Sequence, residues 1–252
     1  MHTKPFLFIL VMGITFIACN KEEDSPRVIE AADSIQTAMD EFRALLGNNN
    51  GNTPGSQING RREINWDALD DSQAAPNGYI PDFFNNPVYN QTRGIEFSTP
   101  GTGLLVGADL SNPTNTLPSF GNINPTYVDI FPPFSGERVF SPVGSNIADI
   151  RFYVPGTDTP AEVKGFGAVY IDVDTEENNA FEFFDLNEQS LGTYSTPVQN
   201  NGHVFLAVLF DQPVIHHVRI RYGNAALGPN DGGGTDVSVM DDFIFAEPQA
   251  AQ

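Results

Sequence analysis

The sequence is poor in cysteine, tryptophan, histidine and lysine, and these scarcities exclude several classes of protein. Of its 252 residues, one is cysteine, one is tryptophan and four are histidine. A single cysteine cannot form an intramolecular disulfide, so a disulfide-rich scaffold is excluded. Lysine and arginine together number 12 against 32 acidic residues, which gives a formal charge of −20. Such a surface repels phosphate backbones, so no nucleic-acid partner is expected.

Common catalytic motifs are absent as well. The sequence contains no G-x-S-x-G elbow and no HExxH pair. His216 and His217 are neighbours in a predicted strand, where successive side chains face opposite sides, so they cannot chelate one ion together. Among 32 acidic residues some pair will lie at a glycosidase-like separation by chance. The sequence therefore names no catalytic residue and favours a non-catalytic protein over a hydrolase.

The only cysteine, Cys19, follows a run of thirteen mostly apolar residues from Phe6 to Ala18. As a helix this run would be about 20 Å long. That is shorter than the roughly 30 Å hydrocarbon core of a bilayer, and typical of the apolar region of a signal peptide. The Ala18-Cys19 junction resembles the lipobox of bacterial lipoproteins, although Phe16 stands where leucine is usual. The resemblance implies a signal peptide over residues 1–18 and a membrane anchor of acyl chains such as palmitate on Cys19. The alternative is an ordinary secretory peptide with an incidental cysteine.

Residues 19–24, CNKEED, carry a lysine and three acidic residues directly after this cysteine. The pattern resembles the surface-export signal of lipoproteins from the Bacteroidota. That resemblance implies a lipid-anchored protein of the outer membrane, exposed at the cell surface. The alternative is a solvated, charged tether that carries no export information.

Residues 25–47 are predicted to form the one clear helix, with Ser25 as N-cap and Gly47 as its stop. Its apolar residues recur at helical spacing: Ile35, Met39, Phe42 and Leu46. This stripe either docks on a partner or membrane surface, or packs against the protein's own domain. The Gly- and Asn-rich residues 48–60 are typical of a linker. The folded domain is therefore expected over residues 61–248.

Beyond Arg61 the sequence alternates short apolar runs with Gly, Pro and Asn. Nine runs are predicted to be strands: 93–98, 103–108, 137–141, 148–154, 165–173, 180–185, 203–209, 214–222 and 236–246. Nine strands without intervening helices predict an all-β, antiparallel, jelly-roll-like β-sandwich. Residues 109–136 contain five prolines and are expected to form a long loop over one end.

Several phrases of this region resemble an uncharacterised family of secreted bacterial β-sandwich proteins. They are RREINWD (61–67), FSTPGTG (97–103), FSPVGSN (140–146), FYVPGT (152–157), GFGAVYIDV (165–173), GNAALG (223–228) and VMDDFIFAEP (239–248). The resemblance implies a shared fold and supplies neither an activity nor binding residues. The closing MDDFIFA (240–246) is similar to the last strand of jelly-roll carbohydrate-binding modules, which implies glycan binding.

A carboxylate, Asp241, interrupts the apolar face of the last predicted strand. In a regular strand Val237, Val239, Asp241, Phe243 and Phe245 share one face. A buried carboxylate needs a cation or hydrogen-bond donors, since its bare burial costs several kcal/mol. Asp241 is therefore predicted either to bind a structural Ca2+ or to accept bonds from backbone amides that fix a neighbouring loop. Asp242 is expected to point the other way and to be solvated.

Asp172 and Asp174 form a second candidate metal site. They share a face of their predicted strand, at about 6.6 Å separation if the strand is regular. That distance is too long for joint chelation unless the strand curls into the following loop, near Glu176, Glu177 and Asn178. The segment fails the EF-hand pattern, with Glu177 at position six and Phe183 at position twelve. The alternative is a solvated hairpin end.

Four aromatic residues could form a glycan-binding platform. Trp66 either stacks on a sugar or anchors the start of the domain as a buried side chain. Tyr79, Phe84 and Tyr89 lie in a Pro- and Asn-rich stretch that would line a surface groove or form a flap over the sandwich edge. From these patterns we expect a non-catalytic surface lipoprotein that binds an extracellular ligand such as a glycan. The alternatives are a carboxylate-dependent hydrolase and a purely structural or adhesive surface protein.

Overall fold

A computed structural model describes residues 25–251 as a β-sandwich of two antiparallel sheets. The predicted signal peptide, Cys19 and the predicted charged tether lie outside the described residues. The strands are β1 (Arg27–Ala32), β2 (Arg61–Ile64), β3 (Ile95–Ser98), β4 (Gly103–Val106), β5 (Phe140–Val143), β6 (Ile147–Phe152), β7 (Ala161–Glu162), β8 (Gly165–Val173), β9 (Ala180–Phe184), β10 (Ser190–Ser195), β11 (Gln199–Leu209), β12 (His217–Arg221), β13 (Val239–Ala246) and β14 (Gln249–Ala250). Helix α1 covers Gln36–Leu46 and the short α2 covers Tyr127–Ile130.

The larger sheet has the order β1-β11-β8-β13-β5-β4, with β2 also paired to β13. The smaller sheet has the order β10-β9-β12-β6-β3, and β14 and β7 form a separate pair. All pairings between these strands are antiparallel. The predicted all-β, antiparallel sandwich is therefore confirmed.

The main core lies between the two sheets and is rich in aromatic rings. Phe166 and Tyr170 of β8 contact Phe181 of β9, with ring centroids 5.1 and 5.4 Å apart. Helix α1 covers the opposite face of the larger sheet, where Phe42 packs against Phe205 at 6.0 Å. Because both faces are covered, all nine residues of β8 are buried. This explains its nearly continuous apolar sequence, GFGAVYIDV.

The predicted helix over residues 25–47 is wrong in its first half, residues 25–35. Residues Arg27–Ala32 form the edge strand β1, which pairs along its whole length with β11. Helix α1 starts at Gln36, with Ile35 as its N-cap. Six residues of pairing with the long strand β11 outweigh the local N-cap signal of Ser25. The apolar stripe of the helix packs on its own domain, as one of the two alternatives proposed.

Residues 48–60 are not a free linker. Asn50 donates to Oε2 of Glu247 at 2.8 Å, and the Gln57 amide donates to Oε1 of Glu247 at 3.0 Å. Arg62 donates to the carbonyl oxygens of Gly51 and Gly55. Arg62 and Glu247 form a buried ion pair, and this pair holds residues 48–60 in place. The composition of the segment does not indicate these contacts. The folded unit accordingly includes β1, α1 and residues 48–60, and does not begin at Arg61.

All nine predicted strands are present. β8 has its predicted bounds, and the others differ from theirs by one to four residues at one or both ends. Five further strands were missed: β1, β2, β7, β10 and β14. They are short or lie at sheet edges, and β10 (SLGTYS) is largely polar and exposed. The long segment 109–136 lies outside the sheets as expected and contains α2. Neither α1 nor α2 is long and apolar enough to cross a membrane.

Candidate metal centre

Three aspartates meet at one end of the sandwich. Asp172 and Asp174 lie at the end of β8, and Asp231 lies in the glycine-rich loop between β12 and β13. One carboxylate oxygen from each residue lies within 4.8 Å of the other two. Asp172 is buried, while Asp174 and Asp231 are partly exposed. The cluster could hold a metal ion with one side open to solvent.

The backbone at Asp172 explains how two residues of one strand approach each other. Asp172 has φ 66°, the left-handed conformation that aspartate tolerates better than most residues. The pairing of β8 with β11 also shifts register between Gln199 and His203. The strand thus curls at its end, which is the condition set above for joint chelation by Asp172 and Asp174.

The third member of the cluster was missed from sequence. Glu176, Glu177 and Asn178 follow in the loop after β8, as noted above, but the third carboxylate of the cluster comes from Asp231. Three consecutive glycines with positive φ, Gly232 to Gly234, follow Asp231 and turn its loop back. The D-G-G-G run is a recognisable turn signal, but no local pattern connects it to residues nearly sixty positions earlier.

Hydrogen bonds fix the three carboxylates. Oδ1 of Asp172 accepts from the Asn201 amide at 2.6 Å, and Oδ1 of Asp231 accepts from the Val237 amide at 3.1 Å. Asn200 donates its side-chain amide to Asp174. The irregular start of β11, residues 199–203, therefore supports two of the three acidic residues. Each carboxylate keeps at least one oxygen free of these bonds.

The cluster is electrostatically unfavourable without a cation. Burial raises the pKa of Asp172 to about 7, and the neighbouring charges of Asp174, Asp231 and Asp236 add to that shift. Burial also raises the pKa of Asp231 and of Asp236. Within residues 25–251, no Lys, Arg or His nitrogen lies within 4.0 Å of any of these carboxylates. Oδ1 of the fully buried Asp236 also has no hydrogen-bond partner.

Asp241 lies apart from this cluster. Its Oδ2 accepts from the backbone amides of Phe134 and Ser135 at 2.7 and 3.0 Å. Asp241 thus makes the loop-fixing bonds that we weighed against a Ca2+ role. The predicted shared face with Phe243 is wrong, because β13 contains a bulge: Asp241 pairs with Val169 and Phe243 with the adjacent Ala168. Adjacent residues of β8 face opposite sides, and so do Asp241 and Phe243.

Asp242, expected to be solvated, is buried. Its side chain accepts a hydrogen bond from the Ser135 hydroxyl, and its Oδ2 lies 3.7 Å from Nη2 of Arg43. Asp242 is the extra residue of the bulge, so its direction could not be predicted from simple alternation.

The predicted aromatic platform is buried. Trp66 and Phe84 are fully buried and Tyr79 is 6% exposed. Trp66 stacks on Phe140 with centroids 4.2 Å apart and nearly parallel planes, so it is the buried anchor of the two alternatives. Tyr89 is partly exposed and stacks on Phe83 at 5.1 Å. Trp66, Tyr79 and Phe84 therefore have no free face for a sugar in this structure.

Comparisons with known proteins identify no family. No protein-family model matches the chain, and no curated protein is similar to it. One solved structure, the enzymatically active domain of tailspike protein 4 of bacteriophage CBA120, aligns at 12% identity and a TM-score of 0.30. The alignment covers 68% of this chain and 21% of the tailspike chain. A likeness at this level supports neither a fold assignment nor a function.

Proposed function

We propose that the protein is a lipid-anchored outer-membrane protein whose sandwich binds an extracellular ligand, a glycan, without catalysis. We further propose that a structural Ca2+ ion, bound by Asp172, Asp174 and Asp231, stabilises one end of that sandwich. The observation that carries the calcium proposal is the convergence of three carboxylate oxygens within 4.8 Å of one another. The proposed lipid anchor is supported by the Ala18-Cys19 junction after the apolar run of residues 6–18.

The donor set favours calcium over other metals. The cluster offers only carboxylate oxygens, the ligands that hard cations such as Ca2+ select. Neither histidine nor cysteine belongs to it, so the nitrogen and sulfur ligands typical of zinc are missing from the cluster. The partly exposed Asp174 and Asp231 leave room for water or ligand oxygens, which suits the six to eight ligands of Ca2+.

The positions of the cluster residues in the fold favour a structural role for the ion. Asp172 lies one residue before the end of β8, Asn201 belongs to β11, and Asp231 belongs to the loop before β13. A cation would join three strands that are adjacent in the larger sheet. It would also remove the repulsion between carboxylates that now have no cationic partner among the described residues. We therefore expect its main effect to be on stability.

Calcium titration tests this part of the proposal. Chelator should lower the melting temperature of the purified protein, and added Ca2+ should restore it. Ca2+ at 100 times its dissociation constant should stabilise the fold by about 2.7 kcal/mol. Asp174→Asn and Asp231→Asn should abolish the response, whereas Asp211→Asn, at an exposed carboxylate elsewhere, should retain it. An unchanged melting curve with and without Ca2+ would contradict a calcium site.

The anchor and the ligand need separate measurements. Mass spectrometry of the mature product should find an acylated Cys19 as its first residue, and a Cys19→Ala variant should leave the membrane fraction. Binding on a glycan array without release of products would support the non-catalytic role. Cleavage of a bound glycan, abolished by one Asp→Asn change, would support a hydrolase instead.

A further inference from the structure

A second candidate site is a pocket of about 400 Å³ between the end of α1, β2 and the segment before β5. The residues that matter here are Arg43, Glu63, Asn65, Arg93, Ser135 and Asp242. It lies away from the aspartate cluster and shares no residue with it. Its size falls in the range of small-molecule sites, roughly 300–1,000 Å³.

The carboxylates of this pocket are already neutralised or bonded. Glu63 forms ion pairs with Arg43 at 2.9 Å and with Arg61 at 2.5 Å. Asp242 accepts the Ser135 hydroxyl and lies near Arg43. Burial raises the pKa of Asp242, while the hydrogen bond from Ser135 and the charge of Arg43 act to lower it. A ligand that enters the pocket therefore meets no unpaired negative charge among these residues.

Unlike Glu63 and Asp242, Arg93 has no oppositely charged side chain as a partner within the described residues. Its Nε donates to Oδ1 of Asn52 at 2.8 Å and its Nη1 donates to the Glu63 carbonyl at 2.8 Å. Both acceptors are neutral, and no carboxylate in the described part of the chain forms an ion pair with Arg93. Nη2 has no acceptor among residues 25–251. Stacking on Phe84 at 4.8 Å and the two bonds hold the guanidinium in place.

Such an arrangement is costly unless an anion completes it. Burial, and the nearby charge of Arg62, lower the pKa of Arg93 to about 10, as expected for a partly desolvated guanidinium without a counter-ion. Arg62 and Arg138, which are more deeply buried than the partly exposed Arg93, both have carboxylate partners. Arg93 is thus a preorganised donor that faces a pocket.

We propose that Arg93 binds the carboxylate of a hydroxylated ligand in this pocket, namely the uronic-acid unit of an acidic glycan. The planar fork of an arginine matches a carboxylate better than any other side chain does. Asn65 and Ser135 supply an amide and a hydroxyl at the same pocket, which suit sugar hydroxyls. Arg43 pairs with Glu63 and Asp242, and Arg61 pairs with Glu63, so the positive charge left for an anion in this pocket is that of Arg93.

The choice of a glycan rests on the proposed function, whereas the carboxylate site stands independently of the Ca2+ centre. Calorimetric titration of the detergent-solubilised full chain with D-glucuronate, D-glucose and acetate separates these points. Glucuronate should bind at least about tenfold more tightly than glucose, because a charged hydrogen-bonded pair distinguishes them. Acetate should compete with glucuronate, because it carries the same carboxylate.

Variants of the pocket residues then test whether glucuronate binds at Arg93. Arg93→Gln should weaken glucuronate binding about tenfold or more, and Arg93→Lys should lie between it and the wild type. Arg221→Gln is the matched control, since Arg221 is exposed, forms no ion pair within the described chain and lies elsewhere. If Arg93→Gln fails to fold, Asn65→Trp serves instead, because Asn65 is exposed at the pocket and a large ring there should block entry.

Three outcomes would overturn this inference: no glucuronate binding, equal affinity for glucose and glucuronate, or full affinity in both Arg93→Gln and Asn65→Trp. Binding of neutral oligosaccharides on a glycan array, unaffected by Arg93→Gln, would overturn the acidic-glycan site while retaining the proposed glycan-binding function. Binding of acetate and glucuronate with no glycan bound on the array would retain the carboxylate site and contradict the proposed function.

Discussion

Arg62 and Glu247 form an ion pair that is almost completely buried, with the two side chains 0% and 2% exposed. The contact is bidentate: Nε lies 2.8 Å from Oε2 and Nη2 lies 2.6 Å from Oε1. Glu247 also accepts from Asn50 and Gln57. One pair therefore joins β2, the end of β13 and the segment between α1 and β2, which explains why a stretch with the composition of a linker is ordered.

We predict that Arg62→Met lowers the free energy of unfolding by about 3–5 kcal/mol, because it leaves Glu247 buried without a partner. The double variant Arg62→Met/Glu247→Leu should recover a substantial part of this loss, since an apolar pair carries no unpaired charge. Urea denaturation followed by circular dichroism measures both values. A single variant as stable as the wild type would contradict this role for the ion pair.

Trp66 supports a second prediction about stability. It is fully buried and packs against Phe140, Phe97 and Phe243. Trp66→Ala should cost about 3–5 kcal/mol, the range for large aromatic truncations in a core. Val88→Ala is the control, since Val88 is 82% exposed and should change stability by less than about 0.5 kcal/mol. Similar small effects in both variants would argue that Trp66 is not a core anchor and would reopen a ligand-binding role.

The strand pattern was predictable because it is encoded locally. Each of the nine predicted strands combines β-branched or aromatic residues with flanking Gly, Pro or Asn. Such residues favour a strand, and the flanking residues favour the turns that end it. β1 was not predictable in this way. Its residues RVIEAA lie beside a genuine helix signal, and only pairing with the distant β11 decides their conformation.

The sites were less predictable than the strands, since they depend on departures from regular geometry. The bulge at Asp242 and the left-handed Asp172 each redirect a carboxylate, and a regular strand pattern predicts neither. Two of the three cluster residues, Asp172 and Asp174, could be named from their spacing. Asp231 and Arg93 could not, because their significance comes from neighbours far away in sequence.

A network around His217 supports a prediction about pH. Nε2 of His217 lies 2.9 Å from Asp149 and Nδ1 lies 2.8 Å from Glu188, while Arg219 also bonds Asp149. Burial alone would raise the pKa of Asp149, but the hydrogen bonds from His217 and Arg219 outweigh it and leave the pKa lowered. The pKa of Glu188 is lowered in the same way by His217 and Arg151.

The direction of this pH dependence follows from the linkage between proton binding and folding. A carboxylate with a lowered pKa in the folded state stabilises the fold fully above its unfolded pKa of about 3.9, and loses this contribution as the pH falls further. Asp149→Asn should therefore be less stable than the wild type at pH 7, and the difference should shrink as the pH falls below about 4. Urea unfolding from pH 2 to pH 7 measures it, with Asp211→Asn as a control. A difference that stays constant with pH would contradict a charged role for Asp149.

Asn85 provides a final prediction, because it links two segments far apart in the chain. Its side-chain amide donates to Glu96 at 2.8 Å and to the Thr157 carbonyl at 2.9 Å, and its Oδ1 accepts from the Gly156 amide at 3.0 Å. Asn85 is 2% exposed, so each lost bond leaves a group with restricted access to water. Asn85→Ala should lower the free energy of unfolding by about 1–3 kcal/mol for each partner left unsatisfied.

The neighbouring Asn86 is a matched control for Asn85. It is partly exposed, and within residues 25–251 its side chain bonds Asp82 and the Val88 amide alone, both within four residues of it. Asn86→Ala should therefore cost clearly less, about 1 kcal/mol or below, as for the loss of a local capping bond. Hydrogen exchange should show faster opening of residues 155–158 in Asn85→Ala alone. Equal losses of stability in the two variants, or unchanged exchange at residues 155–158, would show that Asn85 does not hold that turn.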